Sequence, residues 1–218
     1  MTRRVVELAG PAGAGKTTLA DTLRQQDERI VVGLPVNRLG MLAGLAGAAA
    51  TLAQARVAAP GRWWTRGELR SVAYLRAWRG PAAGRDSDET VLLDHGPAFR
   101  LAYLLDGPPM AHTARFQSWW TRTGMSWGRL LDAVILLDAP DDVLMRRIDE
   151  RDRGHRIRGA GRDDAAAFLA RYRAAYDAVL DVLGAAGTRI IRVDTSTAPA
   201  EIGANVQARL DVLAGRPR

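Results

Sequence analysis

Eight residues near the start of the chain have the types and spacing of a phosphate cradle. Gly10-Pro11-Ala12-Gly13-Ala14-Gly15-Lys16-Thr17 fits G-x-x-x-x-G-K-[ST]. Glycines let the backbone curl so that successive N–H groups converge on phosphate oxygens. A helix opening at this point adds the positive end of its dipole. Lys16 brings a compact ammonium to the β- and γ-phosphates of a nucleoside triphosphate, and Thr17 offers a hydroxyl to Mg²⁺. Gly10, Gly13, Ala14, Gly15 and Thr18 complete the expected phosphate-binding set. Composition points to the same place: of the 31 basic residues a single one, Lys16, is lysine. A coding bias that installs Arg wherever positive charge suffices would spare Lys only where a point charge is needed rather than a planar fork.

A second concentration of chemistry lies further on. Arg146, Arg147, Arg151, Arg153, Arg156 and Arg158 crowd one stretch. Phosphoryl transfer spreads negative charge over the moving group, and catalysis of it is mostly positioning and electrostatics. On a helix Arg147 and Arg151 share a face. The alternative is a solvated basic helix end paired with Asp149, Glu150 and Asp152. Asp94 ends an apolar run, where a charge is costly unless it faces a site. It suits either Mg²⁺ support through water or acceptance of a proton from a hydroxyl. Asp138 ends another such run and is expected to cap the helix that follows, or to serve the site. His95 reads equally as a substrate contact or a structural histidine.

These residues need elements to hold them. Short apolar runs at Arg4–Ala9, Ile30–Leu34, Thr90–Leu93, Ala133–Leu137 and Thr188–Val193 predict strands buried on both faces. Helical signals fall between them. Thr17–Gln25 follows the first strand. Phe168, Tyr172, Tyr176, Val179, Leu180 and Leu183 share a helical face, with Asp163 or Asp164 as the expected cap. Ile202, Val206, Leu210 and Leu213 repeat the pattern after Pro199. Gly80–Asp88 reads as a loop. Alternation of strand and helix predicts an α/β fold: a five-stranded parallel sheet, helices on both faces, in one domain over residues 1–218.

Composition narrows the classes. With 218 residues, 47% of them apolar, the chain is long enough for a full core, which excludes disorder over most of the chain, a collagen-like fibre and a small disulfide scaffold. Zero cysteines exclude a thiolate metal site and a Cys nucleophile, and fit a cytoplasmic chain. The net charge of +7 invites a nucleic-acid partner. No long basic run supports one, so the arginines are expected on solvated faces and at sites for small anions. Leu39–Ala55 carries no charge, but it is rich in Ala and Gly. A buried or interface helix is expected there rather than a membrane span, with Gly40 and Gly44 permitting close helix approach and leaving a homodimer open. The absence of Asn-Lys-x-Asp argues against a GTPase.

In chain order these segments resemble the nucleoside and nucleotide kinase group of P-loop proteins, especially thymidylate kinase-like and deoxynucleoside kinase-like members. Val5–Leu23 (VVELAGPAGAGKTTLADTL) is similar to the group's first strand, loop and helix. Val91–Pro97 (VLLDHGP) stands where a strand ends in Asp/Glu-Arg. Ala133–Gly159 resembles the fourth strand, the following helix and the Arg-rich lid, and the stretch from Arg189 to Ile202 the last strand and adenine-side loop. The resemblance implies ATP and Mg²⁺ as cofactors. Arg147 would stack on the adenine, Arg151 and Arg153 would act at the transferring phosphoryl group, and Thr17 with Asp94 would hold the metal. It also implies a lid at about 151–162 and an acceptor region at about 35–89 and 97–130.

Three departures fall mostly in the acceptor half. The phosphate loop lacks a carboxylate at Pro11–Ala14, Asp94 is followed by His95 instead of Arg, and Leu34-Pro35 replaces Glu-Pro. Arg38 or Arg100 is the expected replacement cation for the acceptor, with His95 beside it. All six Trp, together with Tyr74, Phe99, Tyr103 and Phe116, fall in this region. They suit either stacking of a flat ring or core packing. The leading expectation is an ATP-dependent kinase acting on a nucleoside or nucleotide. The alternatives are transfer to a hydroxyl of an antibiotic or other metabolite, and a non-catalytic nucleotide- or nucleic-acid-binding protein.

Overall fold

The computed structural model describes residues 3–36, 38–58, 64–84, 87–106, 113–150 and 161–215. Its centre is a parallel sheet of β1 (Arg4–Ala9), β2 (Ile30–Val32), β3 (Thr90–Asp94), β4 (Ala133–Asp138) and β5 (Arg189–Asp194), in the order β2-β3-β1-β4-β5. β1 lies between β3 and β4, with Leu8 opposite both Asp94 and Ile135. The predicted strands are all present, with one correction. β2 stops at Val32, because Gly33 takes a φ of 90° and turns the chain while its N–H donates to the Leu92 carbonyl.

Successive strand residues face opposite sides, so each strand feeds two cores. Val5, Val91, Leu93, Val134 and Leu136 join one core with α3 (Arg66–Ala77), α5 (Pro97–Asp106), α6 (Ala114–Gly128) and the later turns of α8 (Arg162–Ala185). Val6, Leu8, Leu92, Ile135 and Leu137 join the other with α1 (Lys16–Gln26), α7 (Asp141–Asp149), the first turns of α8 and α9 (Pro199–Gly215). Helices therefore cover both faces, as the near-continuous apolar strands require.

Several local expectations need correction. The predicted loop at Gly80–Asp88 begins inside a short helix, α4 (Arg79–Ala83), where Pro81 sits early enough to cost no helical hydrogen bond. Asp163 and Asp164 lie in the first turn of α8, whose cap is Gly161. There they complement the helix dipole rather than cap an amide. The uncharged stretch forms most of α2 (Arg38–Ala58), and no helix among the described residues is long and apolar enough to cross a membrane. Gly44 has a use within this chain. A Cβ there would stand 2.7 Å from the Ala73 carbonyl oxygen, so glycine lets α2 close onto α3.

Most of the aromatic cluster is core. Trp78, Phe116, Trp119, Trp120 and Trp127 are buried between α3, α5 and α6. Trp120 and Trp127 donate their indole N–H groups to the carbonyls of Leu101 and Leu75, which satisfies the one polar atom each brings inside. Tyr74, Phe99 and Tyr103 remain half-buried beside the end of β3. Trp63 lies outside the described residues.

Candidate functional site

The site is assembled at the C-terminal edge of the sheet, where β1, β3 and β4 end side by side. The loop from Gly10 to Gly15 needs three left-handed residues, Gly10, Gly13 and Gly15, with φ of 134°, 88° and 85°. Two of them also have no room for a side chain. A Cβ on Gly10 would lie 2.0 Å from the Leu137 carbonyl oxygen, and one on Gly13 would lie 2.8 Å from that of Leu144. The loop is thus pressed against β4 and α7. It opens directly into α1, whose cap Gly15 offers no side-chain acceptor and whose first turn has no acidic residue. The amides there are left for an anion. Lys16 is nearly buried and folds back over the loop, its Nζ donating to the Gly10 and Pro11 carbonyls at 2.8 Å each.

Next to it, Thr17 Oγ1 donates to Asp94 Oδ2 at 2.8 Å. The two residues are far apart in sequence but arrive together because β1 and β3 are neighbours in register. The other Asp94 oxygen, Oδ1, is buried without a hydrogen bond and lies 3.2 Å from His95 Nδ1. A hydroxyl beside a carboxylate with spare lone pairs is a hard-oxygen pair of the kind Mg²⁺ takes alongside water and phosphate, so these residues fit that ion. No cluster of three or more acidic or histidine ligands occurs among the described residues. Protein ligands to a metal here would be few, as for Mg²⁺ shared with phosphates. His95 adopts a left-handed φ of 60°, which turns the chain sharply from β3 into α5. Its ring meets Phe99 edge-on at 4.4 Å. Burial depresses the imidazole pKa, and the Asp94 charge opposes this in part.

Glu7 underlies that corner and is not signalled by any motif. It is fully buried in the middle of β1 and accepts hydrogen bonds from the amides of Ala98 (2.7 Å) and Phe99 (2.9 Å). It thereby ties the first turn of α5, and so the Asp94–His95 turn, to the central strand. Burial pushes its carboxyl up to about 8, against the two amides and the Arg100 charge. A lone acid inside an otherwise apolar strand is the sequence signal that could have found it.

On the other side of the loop lies a cavity of about 310 Å³, lined by Gly13, Ala14, Gly15, Thr18, Arg147, Thr195 and neighbours from α1 and α9. That size is at the small end of ligand pockets. Arg147 is fixed across its mouth, donating to the Thr195 carbonyl at 2.7 Å and reaching Gly13 O and Thr195 Oγ1 at 3.4 Å. The predicted loop residues and Arg147 therefore converge, while Arg151 and Arg153, with the rest of the expected lid up to residue 160, lie outside the described residues.

The two expected acceptor cations part company. Arg38 is exposed at the first residue of α2 and pairs with no described residue. Arg100 is half-buried on α5 against Tyr74, Phe99 and Trp78, its guanidinium carbon 4.8, 5.3 and 5.8 Å from their ring centres. Asp138 is structural. Instead of capping α7, it takes a two-pronged ion pair from Arg173 of α8 (2.7 and 3.1 Å), which also grips Asp141 at 2.6 Å. This clamp fixes the middle of α8 to the β4–α7 turn. Arg173 carried no motif, and sequence reading missed it.

Comparison with models of known protein families gives no match, and comparison with curated proteins gives none. The functional reading therefore rests on the geometry.

Proposed function

We propose that the protein is an ATP·Mg²⁺-dependent kinase that transfers the γ-phosphoryl group to a small acceptor, a nucleoside or nucleotide. The observation that carries this reading is the 2.8 Å contact between Thr17 and Asp94, which joins a glycine-built anion loop to the acceptor side of the sheet edge. In this reading the Gly13–Thr18 amides receive the phosphates. Lys16 exchanges the Gly10 and Pro11 carbonyls for phosphate oxygens. Mg²⁺, when bound, neutralises charge on those oxygens, with Thr17 and Asp94 as its protein-side supports. Arg147 borders the cavity beside the loop, where the adenine would lie. Glu7 keeps the Asp94–His95 turn in place.

A hydroxylated metabolite is the second acceptor class. It is favoured by the end of β2, where Leu34 is a buried apolar residue and supplies no carboxylate base. Screening nucleosides, nucleotides and hydroxylated metabolites for ADP release separates the two classes. No release with any acceptor, at saturating ATP and Mg²⁺, would overturn the kinase reading.

A further inference from the structure

Among the described residues, Arg100 is an unusual cation because it is half-buried. Several other arginines face carboxylates: Arg29 on Asp27, Arg173 on Asp138 and Asp141, Arg192 on Asp177. Arg100 is half-buried with no carboxylate on it among the described residues, and its Nε is buried without a hydrogen-bond partner. Glu7, whose field reaches it, gives its two oxygens to the Ala98 and Phe99 amides. A guanidinium held this way costs desolvation that aromatic faces only partly offset. A second cation makes the arrangement worse. Arg70 lies 5.3 Å from the same Tyr74 ring centre and donates to the Tyr74 hydroxyl at 3.2 Å. Burial and the Arg70 charge both depress the Arg100 pKa. Two like charges meeting at one ring, with no acid between them among the described residues, are arranged for an anion that arrives from outside. The place is also right, since Phe99 touches both Arg100 and the His95 ring beside Asp94.

We propose that Arg100 and Arg70, gathered around Tyr74, form a subsite for an anionic group carried by the acceptor, a phosphate monoester or a carboxylate. Calling the ligand an acceptor rests on the kinase reading; anion binding by the pair does not. The subsite selects acidic acceptors over their uncharged counterparts and orients them with the reacting end toward Asp94.

The test uses the full chain with Lys16→Ala, which weakens anion binding at the glycine loop, and calorimetric titration with methyl phosphate and with acetate. One of the two binds, identifying the source of the charge. Adding Arg100→Gln weakens that binding on the order of tenfold or more, the loss of a charge-assisted contact. Arg70→Gln, at an exposed position, gives a smaller loss in the same direction and carries the test if Arg100→Gln does not fold. Affinities unchanged by both substitutions would overturn the subsite and leave Arg100 as packing. Equal rates of phosphorylation of uncharged acceptors and their phosphorylated or carboxylated counterparts would also overturn it, with the kinase reading intact. Arg100-dependent anion binding without transfer to any acceptor would support the subsite and remove the kinase reading.

Discussion

Replacing Glu7 with Gln should change how stability depends on pH. The wild-type carboxyl moves from 4.5 to about 8 on folding, and burial is the main cause. Between those values the unfolded chain has released the proton and the folded chain still holds it. Each rise in pH therefore favours unfolding, by about 1.4 kcal/mol per pH unit at most. The group is fully buried, so solvent screening takes little from this. Over the whole window the loss is of order 5 kcal/mol, comparable with the stability of a small domain. Gln has no proton to lose. It also presents an NH₂ to one of the two amides of α5, so Glu7→Gln lowers stability near pH 5 by about 1–2 kcal/mol. Urea unfolding at pH steps from 5 to 8.5 for both proteins is the assay. The expected result is a stability difference that shrinks, then reverses, as pH rises. Parallel profiles would contradict this and mean that the amides and Arg100 keep Glu7 ionised throughout.

Other consequences are more local. Gly10→Ala places a Cβ against the Leu137 carbonyl at an unfavourable φ and should cost more than about 3 kcal/mol in urea unfolding, whereas Gly15→Ala, with nothing within 4 Å, pays only backbone strain of about 1–2 kcal/mol. Arg173→Gln removes the grip on Asp138 and Asp141 and should lower stability by roughly 1–2 kcal/mol, an effect that 1 M salt diminishes. Thr17→Ala removes the hydroxyl hydrogen-bonded to Asp94, and should raise the Mg²⁺ concentration needed for half-maximal ADP release without moving the melting temperature by more than a few degrees.

The sheet was readable from sequence because its strands are buried on both faces and appear as unbroken apolar runs between helical stretches. Gly33 shortened β2 through a backbone turn that a run of Ile and Val conceals. The glycines of the loop were readable one by one, since Gly10, Gly13 and Gly15 each take a positive φ. The Thr17–Asp94 contact followed from strand ends, but only the neighbouring register of β1 and β3 brings the two together. Arg173 was not legible, and for Glu7 only its charge within an apolar strand stood out, not its role. Their partners lie 91 residues away for Glu7 and Ala98, and 35 away for Arg173 and Asp138, with no local pattern to mark the pairing. The aromatic cluster misled in the opposite sense. A set of Trp residues close in sequence looks like a stacking surface, whereas here most of their rings fill the space between α3, α5 and α6.

In the proposed function the Gly10–Thr17 loop holds a triphosphate for transfer, with Lys16 acting on the moving charge. The direct measurement is transfer of labelled γ-phosphoryl from ATP to an acceptor panel, by wild type and by a Lys16→Ala variant of unchanged fold. Wild-type protein should give a labelled acceptor, and the variant should transfer about a hundredfold less or lower still. Transfer at the wild-type rate without Lys16, or label found on no acceptor with the intact protein, would contradict it.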